Sequence, residues 1–184
     1  MEIDKKIAYD YVLKNEREPA YGGWLCDKDD PGGETYNGIS RASWALWEGW
    51  QIIDNIKKSF GSSYFQHNKY FQIQLDSNKS LQDYCFKFYD DNFMCKILAD
   101  NFISKIDENY KQSVFILVLD TCVNIGLQTG LKIAESCSFV SPEIFIAEFL
   151  LSKIAYYIAV VKKHQKSEKF FYGWILRTLN EKKL

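Results

Sequence analysis

The sequence predicts an all-α fold, mainly a helical bundle, with one small β-hairpin. Apolar residues recur at helical spacing, beginning with Ile3, Ile7 and Tyr11. The most hydrophobic run, residues 114–119, has no second run of its kind to pair with as a strand, so we assign it to a central helix. Residues 21–38 hold a Pro-Gly-Gly turn between apolar side chains, which predicts the hairpin.

The composition suits one domain over residues 1–184, of which 47% are hydrophobic. The 23 basic and 24 acidic residues nearly cancel, which argues against nucleic acid or an anionic membrane as a partner. The 5 cysteines contain no CxxC pair and the 2 histidines lie far apart, so we expect reduced thiols and no metal site. The N-terminus lacks the apolar core of a signal peptide, and no apolar run is long enough to predict a membrane span.

The first elements follow from spacing and from helix breakers. Residues 3–16 are predicted to form an amphipathic helix that Pro19 and Gly22-Gly23 end. After the hairpin, residues 40–50 are predicted to be a helix with tryptophans at every third position. Residues 51–58 either extend it or form a second helix, and residues 59–79 are a loop or a short helix.

The later elements are predicted to be helices. Residues 80–98 show one apolar side, and a helix over residues 99–106 follows or continues them. The apolar helix through residues 114–123 ends at Gly126, and residues 127–137 form a shorter one. Ser141-Pro142-Glu143 predicts a helix start, because proline suits the first helical position, and this helix runs to about Lys163. A last helix covers residues 168–180.

Residues 16–39 hold the strongest chemical signal, a set of acidic residues before a Pro-Gly-Gly turn: Glu16, Glu18, Asp27, Asp29 and Asp30. Glycoside hydrolysis commonly uses one protonated and one ionised carboxyl group in different environments. Glu16, at a helix end, could face the packed side of a cleft, whereas Asp30 lies in a polar turn that favours its charged form. Thr35 could hold a water beside Asp30, which is an inverting arrangement.

These residues alone leave an alternative open, a solvated acidic loop that binds calcium through Asp27, Asp29 and Asp30. The EF-hand spacing is not met, because no ligand run of the required length ends in a glutamate.

Three runs stand close together in this part of the chain: Gly22-Gly23-Trp24-Leu25-Cys26-Asp27, Asp30-Pro31-Gly32-Gly33-Glu34-Thr35 and Gly38-Ile39-Ser40. Three more follow: Trp47-Glu48-Gly49-Trp50, Asp120-x-x-Val123-Asn124-x-Gly126 and Gly173-Trp174-Ile175-x-Arg177. Together they resemble glycoside hydrolase family 108, the N-acetylmuramidases of phage-type endolysins and secretion activators. The resemblance implies a lysozyme-like fold with a catalytic-motif half over residues 1–79 and a helical half over residues 80–184. The helical half resembles a peptidoglycan-binding region that is reduced at residues 136–142.

The resemblance also implies a reaction, hydrolysis of the β-1,4 bond between N-acetylmuramic acid and N-acetylglucosamine, without a cofactor. Glu16 would be the general acid, Asp30 would orient water or stabilise positive charge on the sugar, and Thr35 would hold the water. Without a gap, the family's acid falls on Tyr21; an insertion of residues 17–21 puts it on Glu16, and Glu18 is the alternative acid. A non-catalytic wall-binding or secretion-accessory module is the alternative function, and Tyr21 favours it.

Trp24, Tyr36 and Asn124 are predicted to bind substrate, whereas Trp44 and Trp47 are assigned to core packing. Asn124 and Asp120 lie one helical turn apart on the same helix. Either they brace the active loop or they hydrogen-bond to the substrate, and the second role makes Asn124 a binding residue. Arg177 is expected to pair with an acidic group in the core.

The expected partner is the glycan strand of peptidoglycan, and the expected oligomeric state is a monomer. A chain made in the bacterial cytoplasm without a signal peptide would need a holin, a secretion apparatus or lysis to reach the cell wall or periplasm.

Overall fold

The computed structural model describes residues 2–17, 22–26, 33–61 and 68–181. Helices dominate these residues, and one three-stranded antiparallel sheet accompanies them, which confirms the predicted fold class. The contacts divide the chain into two compact units. One contains residues 9–92, and the other contains the described residues up to Ala8 and from Phe93 onward. The predicted halves, residues 1–79 and 80–184, stay a prediction.

The unit of residues 9–92 contains the end of α1 and all three strands, followed by three helices: α1 (Lys5–Glu16), β1 (Trp24–Cys26), β2 (Glu34–Tyr36), β3 (Ile39–Ser40), α2 (Gly49–Phe60), α3 (Lys69–Ser77) and α4 (Lys79–Tyr89). The strands lie in the order β1-β2-β3, with Leu25 opposite Thr35 and Tyr36 opposite Ile39. Asn37 and Gly38 join β2 to β3 with φ values of 48° and 80°. Positive φ at both central residues is typical of the tight hairpin turn that Asn-Gly favours.

The predicted helix over residues 40–50 is wrong, because α2 begins only at Gly49. The Arg41 N–H still bonds the carbonyl of Glu34 across the sheet, at 2.8 Å. Tight turns then follow, in which Trp47 N bonds the Trp44 carbonyl at 3.0 Å and Trp50 Nε1 bonds the same carbonyl at 2.8 Å. The tryptophans therefore cluster through turns, with Trp47 buried as predicted and Trp44 42% exposed.

A π-helical turn at Asp90–Met94 follows α4 and continues past Asn92 into the second unit. The second unit is helical: α5 (Cys95–Leu98), a 3₁₀ turn at Ile103–Lys105, α6 (Lys111–Ile125), α7 (Leu127–Ser136), α8 (Pro142–Lys163) and α9 (Glu168–Glu181). The predicted helix over residues 99–106 is therefore wrong. The Asp100 carboxylate accepts the Phe102 N–H at 3.1 Å, and this local bond favours a turn. The other helices are confirmed, including α6, which is buried from Val114 to Cys122.

Helix α8 begins as the sequence predicts, with Pro142 in its first turn and the Ser141 hydroxyl accepting the Ile144 N–H at 3.3 Å. Among the described helices, α8 alone is long and apolar enough to cross a membrane by length and composition. Its most apolar 18-residue window has a mean hydropathy of 1.9, and 22% of that window is buried.

Candidate active site

Glu16 is the last residue of α1, and it is half-buried. Its carboxyl group lies against the Asn37-Gly38 turn: a Cβ on Gly38 would be 2.9 Å from Glu16 Oε2 and 2.8 Å from Tyr89 Oη. Gly38 also has a φ of 80°, which side chains other than glycine adopt at a cost. The end of α1 thus places the Glu16 carboxyl group against the Asn37-Gly38 turn. Glycine at residue 38 leaves space for that carboxyl group because it has no side chain.

Tyr89 holds the other side of this turn. Its hydroxyl donates a hydrogen bond to the Asn37 carbonyl at 2.6 Å, and its side chain is 1% exposed. The Tyr9 and Phe88 rings contact the Tyr89 ring edge-on, with centroid distances of 5.6 and 5.5 Å. A phenol fixed in this way positions the turn on which the Glu16 carboxyl group lies.

Thr35 occupies the middle strand, paired with Leu25 on one side and Ser40 on the other. Its side chain is half-buried and points to the opposite face from its neighbours Glu34 and Tyr36, as alternation in a strand requires. Asp30, the alternative acid Glu18, and Tyr21 lie outside the described residues. The structure therefore places Glu16 and Thr35 in the same unit and gives no distance from either to Asp30.

Glu34 is a candidate residue that the sequence analysis did not single out. Its carboxylate forms ion pairs with Lys57 and with Arg41 Nε, the latter at 3.0 Å, and accepts a 2.6 Å hydrogen bond from Trp24 Nε1. The side chain is only 12% exposed. Because residues of β1, of α2 and of the segment after β3 all contact this carboxylate, Glu34 fixes the sheet on α2. Glu34 stands between Gly33 and Thr35, at a position that the motif leaves unspecified, so the sequence did not indicate that it fixes the sheet.

Arg41 extends the Glu34 cluster to Asp54. Its two terminal nitrogens donate to the Asp54 carboxylate at 3.1 and 2.7 Å. These hydrogen bonds lower the pKa of Asp54, against a smaller opposing effect of burial. The Asp54 side chain is 42% exposed, so its ion pair is the more hydrated of the two that Arg41 makes.

Trp24 and Tyr36, both predicted to stack on sugar, lie in the core at 2% and 0% exposure. The Trp24 ring packs edge-on against Phe71 with a centroid distance of 5.1 Å. The Tyr36 hydroxyl donates to Asp76 Oδ1 at 3.2 Å and accepts from Gln82 at 2.8 Å. Packing is thus the role that the described structure gives both rings, and their contact with substrate stays a prediction.

Asn124 lies near the end of α6, in the other unit. Its side-chain oxygen accepts a hydrogen bond from the Tyr157 hydroxyl at 2.6 Å. It lines a cavity of ≈ 250 Å³ together with Ile125, Tyr156, Tyr157, Val160 and Trp174. An amide beside aromatic rings suits a polar ligand with an apolar face. This lining is compatible with substrate binding by Asn124, which stays a prediction.

Asp120 pairs with Arg177, which confirms the expected core partner of that arginine. Arg177 Nε and Nη2 donate to the two Asp120 oxygens at 3.0 and 2.7 Å. Two further buried charges join them, which the sequence analysis missed. Lys153 Nζ lies 2.5 Å from Glu181 Oε1 and 3.8 Å from Asp120 Oδ2, and the Lys153 side chain is fully buried. Asp120 therefore braces α6 against α8 and α9.

The two carboxyl groups of this cluster titrate far apart. Burial and the neighbouring Asp120 raise the pKa of Glu181 to about 8. Burial also acts to raise the pKa of Asp120, but the hydrogen bonds and positive charge of Arg177 override it and hold that pKa at about 2. Asp120 is thus the ionised partner of the pair at neutral pH.

Within residues 2–17, 22–26, 33–61 and 68–181, no group of three or more His, Cys, Asp or Glu side chains is arranged to hold a metal ion. The alternative calcium ligands Asp27, Asp29 and Asp30 lie outside these ranges.

Comparison with known proteins gives the family. The family model described as Glycosyl hydrolase 108 matches residues 9–126, a span that contains Glu16, Asp30, Thr35 and Asn124. No curated protein matches the chain. The structure of Brucella abortus SagA is similar in fold, with a TM-score of 0.57 at 17% identity, over 97% of this chain and 91% of that one. Because the family model matches more than half of its residues, this chain belongs to the glycosyl hydrolase 108 family.

Proposed function

We propose that this protein is an N-acetylmuramidase that cuts the β-1,4 bond between N-acetylmuramic acid and N-acetylglucosamine in bacterial peptidoglycan, with inversion at the anomeric carbon. Family membership supports hydrolysis of a glycosidic bond. The motif resemblance supports the substrate and the bond. Glu16 acts as the general acid, Asp30 as the charged partner, and Thr35 as the residue that holds the attacking water.

The observation that carries the proposal is the placement of Glu16. Five residues separate it from the Gly22-Gly23 motif, yet its carboxyl group lies at Gly38 of the same motif region, beside the Tyr89 hydroxyl. A half-buried carboxyl group between a buried phenol and a backbone turn has little freedom to move. A fixed position is the first requirement of a general acid, because it must come within hydrogen-bond reach of the leaving oxygen.

The sheet register supports the role of Asp30. Strand β1 ends at Cys26 and β2 begins at Glu34, on either side of Asp30 in the sequence, and these two residues pair across β1 and β2. The described residues that flank Asp30 in the sequence are therefore paired with each other, and Glu34 is the neighbour of Thr35. Glu34 and its partners Lys57 and Arg41 hold that hairpin on α2.

The test compares wild type with Glu16→Gln, Asp30→Asn and Glu18→Gln on purified peptidoglycan, with each variant checked for folding by circular dichroism. We expect Glu16→Gln to lower the clearing rate by about 100-fold to 10,000-fold, the usual contribution of a general acid. Glu18→Gln is the matched control and should retain wild-type activity. The acid assignment is wrong if Glu18→Gln is the inactive variant, or if all variants clear the substrate equally.

Product analysis tests the bond and the stereochemistry separately. A muramidase leaves N-acetylmuramic acid at the new reducing end, which mass spectrometry of reduced muropeptides identifies. Proton NMR of the first product formed distinguishes an inverted from a retained anomeric centre. A retained anomer would contradict the water-holding role of Thr35, because a retaining enzyme uses its second carboxylate as the nucleophile.

A non-catalytic wall-binding or secretion-accessory module of the same fold is the second candidate. Tyr21 at the ungapped position of the family's acid favours it. Wild-type protein that sediments with purified peptidoglycan but releases no soluble fragments would support this candidate and contradict the muramidase.

A further inference from the structure

One side of α8 is apolar and exposed. Its residues recur every three or four positions and so share one stripe along the helix, here called the α8 stripe: Ile144, Ala147, Leu151, Ala155 and Ile158, with Lys162 at its end. Leu151 is 67% exposed, Ile144 41% and Ile158 39%. The opposite side of the helix is buried and consists of Phe145, Phe149, Lys153 and Tyr157. The core therefore uses one side of α8 and leaves the α8 stripe uncovered by the described residues.

The α8 stripe is not a typical solvated helix face. Between Glu148 and Lys162 the only charged side chain is Lys153, and it is buried. A solvated face would carry charged residues at these positions, and an exposed apolar stripe rimmed by charges is typical of an interaction surface. Since only 22% of the most apolar window is buried, the core does not account for this hydropathy.

The α8 stripe is self-complementary about Leu151. When two such helices lie antiparallel with their Leu151 residues level, Ile144 of each copy is opposite Ile158 of the other, because both lie seven residues from Leu151. The same register places Ala147 opposite Ala155, four residues from Leu151 on either side. Branched residues thus meet branched residues, and small residues meet small residues, which lets the two helices approach closely.

The charges at the ends of α8 fit the same register. The helix carries an exposed acidic residue, Glu143, in its first turn and exposed basic residues, Lys162 and Lys163, in its last turn. In the antiparallel pair, Glu143 of one copy is level with Ala159 of the other and so lies about one helical turn, roughly 5 Å, from Lys162. Opposite charges therefore come together at both ends of the contact. The antiparallel arrangement also sets the N-terminus of each helix beside the C-terminus of its partner, which favours the pairing electrostatically.

We propose that two copies of this chain associate through antiparallel α8 helices, related by a two-fold axis at Leu151. A two-fold contact uses the same patch on both copies, as the symmetric pattern of the α8 stripe requires. The proposal departs from the monomer that the sequence predicts, because the sequence does not show which side of α8 the core uses.

A lipid bilayer would fit the α8 stripe less well. Helices that lie on anionic membranes carry basic residues along their polar flanks. The basic residues of α8 that are exposed, Lys162 and Lys163, lie at one end only, and Glu143 at the other end would be repelled by anionic headgroups. In the antiparallel dimer, the charges at both ends of α8 lie near opposite charges of the other copy.

Sedimentation velocity of the full chain over a wide concentration range tests the association. Wild type should approach twice the monomer mass of 21.5 kDa as concentration rises. Leu151→Lys should weaken the dimer by about 100-fold or more, because the two-fold axis brings both ammonium groups together in an apolar contact. Leu46→Lys is the matched control, since Leu46 is 96% exposed on the other unit, and it should leave the dimer intact. A Leu151→Lys protein that dimerises as well as wild type overturns the proposal.

A designed charge pair tests the orientation. Ile144→Glu alone and Ile158→Lys alone should each weaken the dimer by about tenfold, since each sets a charge against an apolar side chain of the other copy. The two changes in one chain should recover most of the affinity, because the antiparallel register places each new carboxylate opposite a new ammonium group. If a single variant lost the dimer because it failed to fold, a second charge would not restore the dimer. Recovery in the double variant therefore distinguishes a lost contact from misfolding. No recovery would overturn the antiparallel register.

Cysteine cross-linking tests the two-fold axis. Leu151→Cys should form a disulfide-linked dimer under mild oxidation, because this position meets itself. Ala147→Cys alone should not cross-link, but it should do so when mixed with Ala155→Cys. Wild type is the control for its own exposed cysteines, Cys26 and Cys95.

Two results would overturn the proposal as a whole. One is a wild type that stays monomeric at every concentration. The other is a monomer that binds anionic vesicles and loses that binding in Leu151→Lys, which would show a membrane-facing helix instead.

Discussion

The carboxyl group of Glu16 and the α-carbon of Gly38 are packed so closely that residue 38 has no room for a side chain. A Cβ there would lie 2.9 Å from Glu16 Oε2 and 3.2 Å from Glu16 Cγ. The two residues are distant in sequence and belong to different elements, the end of α1 and the turn after β2. Two features therefore require glycine at residue 38: the position of the proposed acid Glu16 and the positive φ of the turn.

Gly38→Ala should lower both stability and activity. The added methyl group meets Glu16 and the Tyr89 hydroxyl at a φ of 80°, so we expect a loss of about 2–4 kcal/mol in the free energy of unfolding. Displacement of the carboxyl group by a fraction of an ångström should reduce clearing of peptidoglycan by about 100-fold. Thermal unfolding and a clearing assay at matched folded concentration measure the two effects.

Gly33→Ala is the control for this prediction. Gly33 also has a positive φ, of 61°, but no atom of the described residues lies within 4 Å of the position its Cβ would take. Gly33→Ala should therefore lower the free energy of unfolding only through the strain of a positive φ, by about 1 kcal/mol. Equal destabilisation of the two variants would show that contact with Glu16 and Tyr89 contributes nothing at Gly38.

Glu34→Gln should destabilise the protein more than Asp54→Asn. The Glu34 carboxylate is 12% exposed and has two cationic partners, so its loss deprives Lys57 of its closest opposite charge and should cost about 2–3 kcal/mol. Asp54 is 42% exposed and solvent screens its ion pair, so its change should cost at most about 1 kcal/mol. Urea unfolding measures both. Equal costs would mean that Glu34 does not fix the sheet on α2.

The stability of the protein should fall as pH rises through the neutral range, because of Glu181. Its pKa is raised to about 8 by burial and by Asp120, against an ordinary value of 4.5 in the unfolded chain. Between these values the folded state holds a proton that the unfolded state releases, so a rise in pH favours unfolding. The contribution is fully present below about 4.5 and is lost as pH rises through about 8.

Glu181→Gln should flatten this part of the pH profile, because glutamine cannot ionise. Glu168→Gln, an exposed change on the same helix, should leave the profile unchanged. Melting temperatures across the range compare the three proteins. A wild-type stability that stays flat between these two pH values would contradict the prediction, because it would show that Glu181 is already ionised beside Lys153.

Thiol labelling should separate the cysteines by burial. Burial raises the pKa of Cys85 and Cys122 to about 12 and that of Cys137 to about 11, so these thiols are neutral as well as enclosed. The exposed Cys26 and Cys95 should react quickly with a disulfide reagent in the native protein, and all five should react after denaturation. A third fast thiol in the folded protein would contradict the described packing.

Local patterns in the sequence predicted most of the helices. The period of α1, the apolar run of α6 and the Ser141-Pro142 start of α8 each depend on neighbouring residues, and each is confirmed. The helix expected over residues 40–50 failed because its tryptophan spacing also suits a series of turns. Asn37-Gly38 is a strong hairpin signal, and it could have placed the β2–β3 turn from sequence alone.

The candidate site was only partly predictable. Glu16 and Thr35 could be named only through the resemblance to the family, with an insertion assumed before Gly22, and their catalytic roles stay predictions. Glu34 and its partner Lys57 could not, because an ion pair over 23 residues depends on how α2 packs against the sheet. Trp24 and Tyr36 border the turn in sequence, but which face of a strand is covered becomes known only with the helices in place.

The contact between Lys153 and Glu181 has a practical consequence for anyone who shortens this chain for expression. A version that stops before residue 181 would remove the hydrogen-bond acceptor 2.5 Å from a fully enclosed ammonium group and leave it the Asp120 carboxylate at 3.8 Å, beyond hydrogen-bond distance. The final turn of α9 is thus part of the folding unit, and truncated forms made for crystallisation or fusion should retain it.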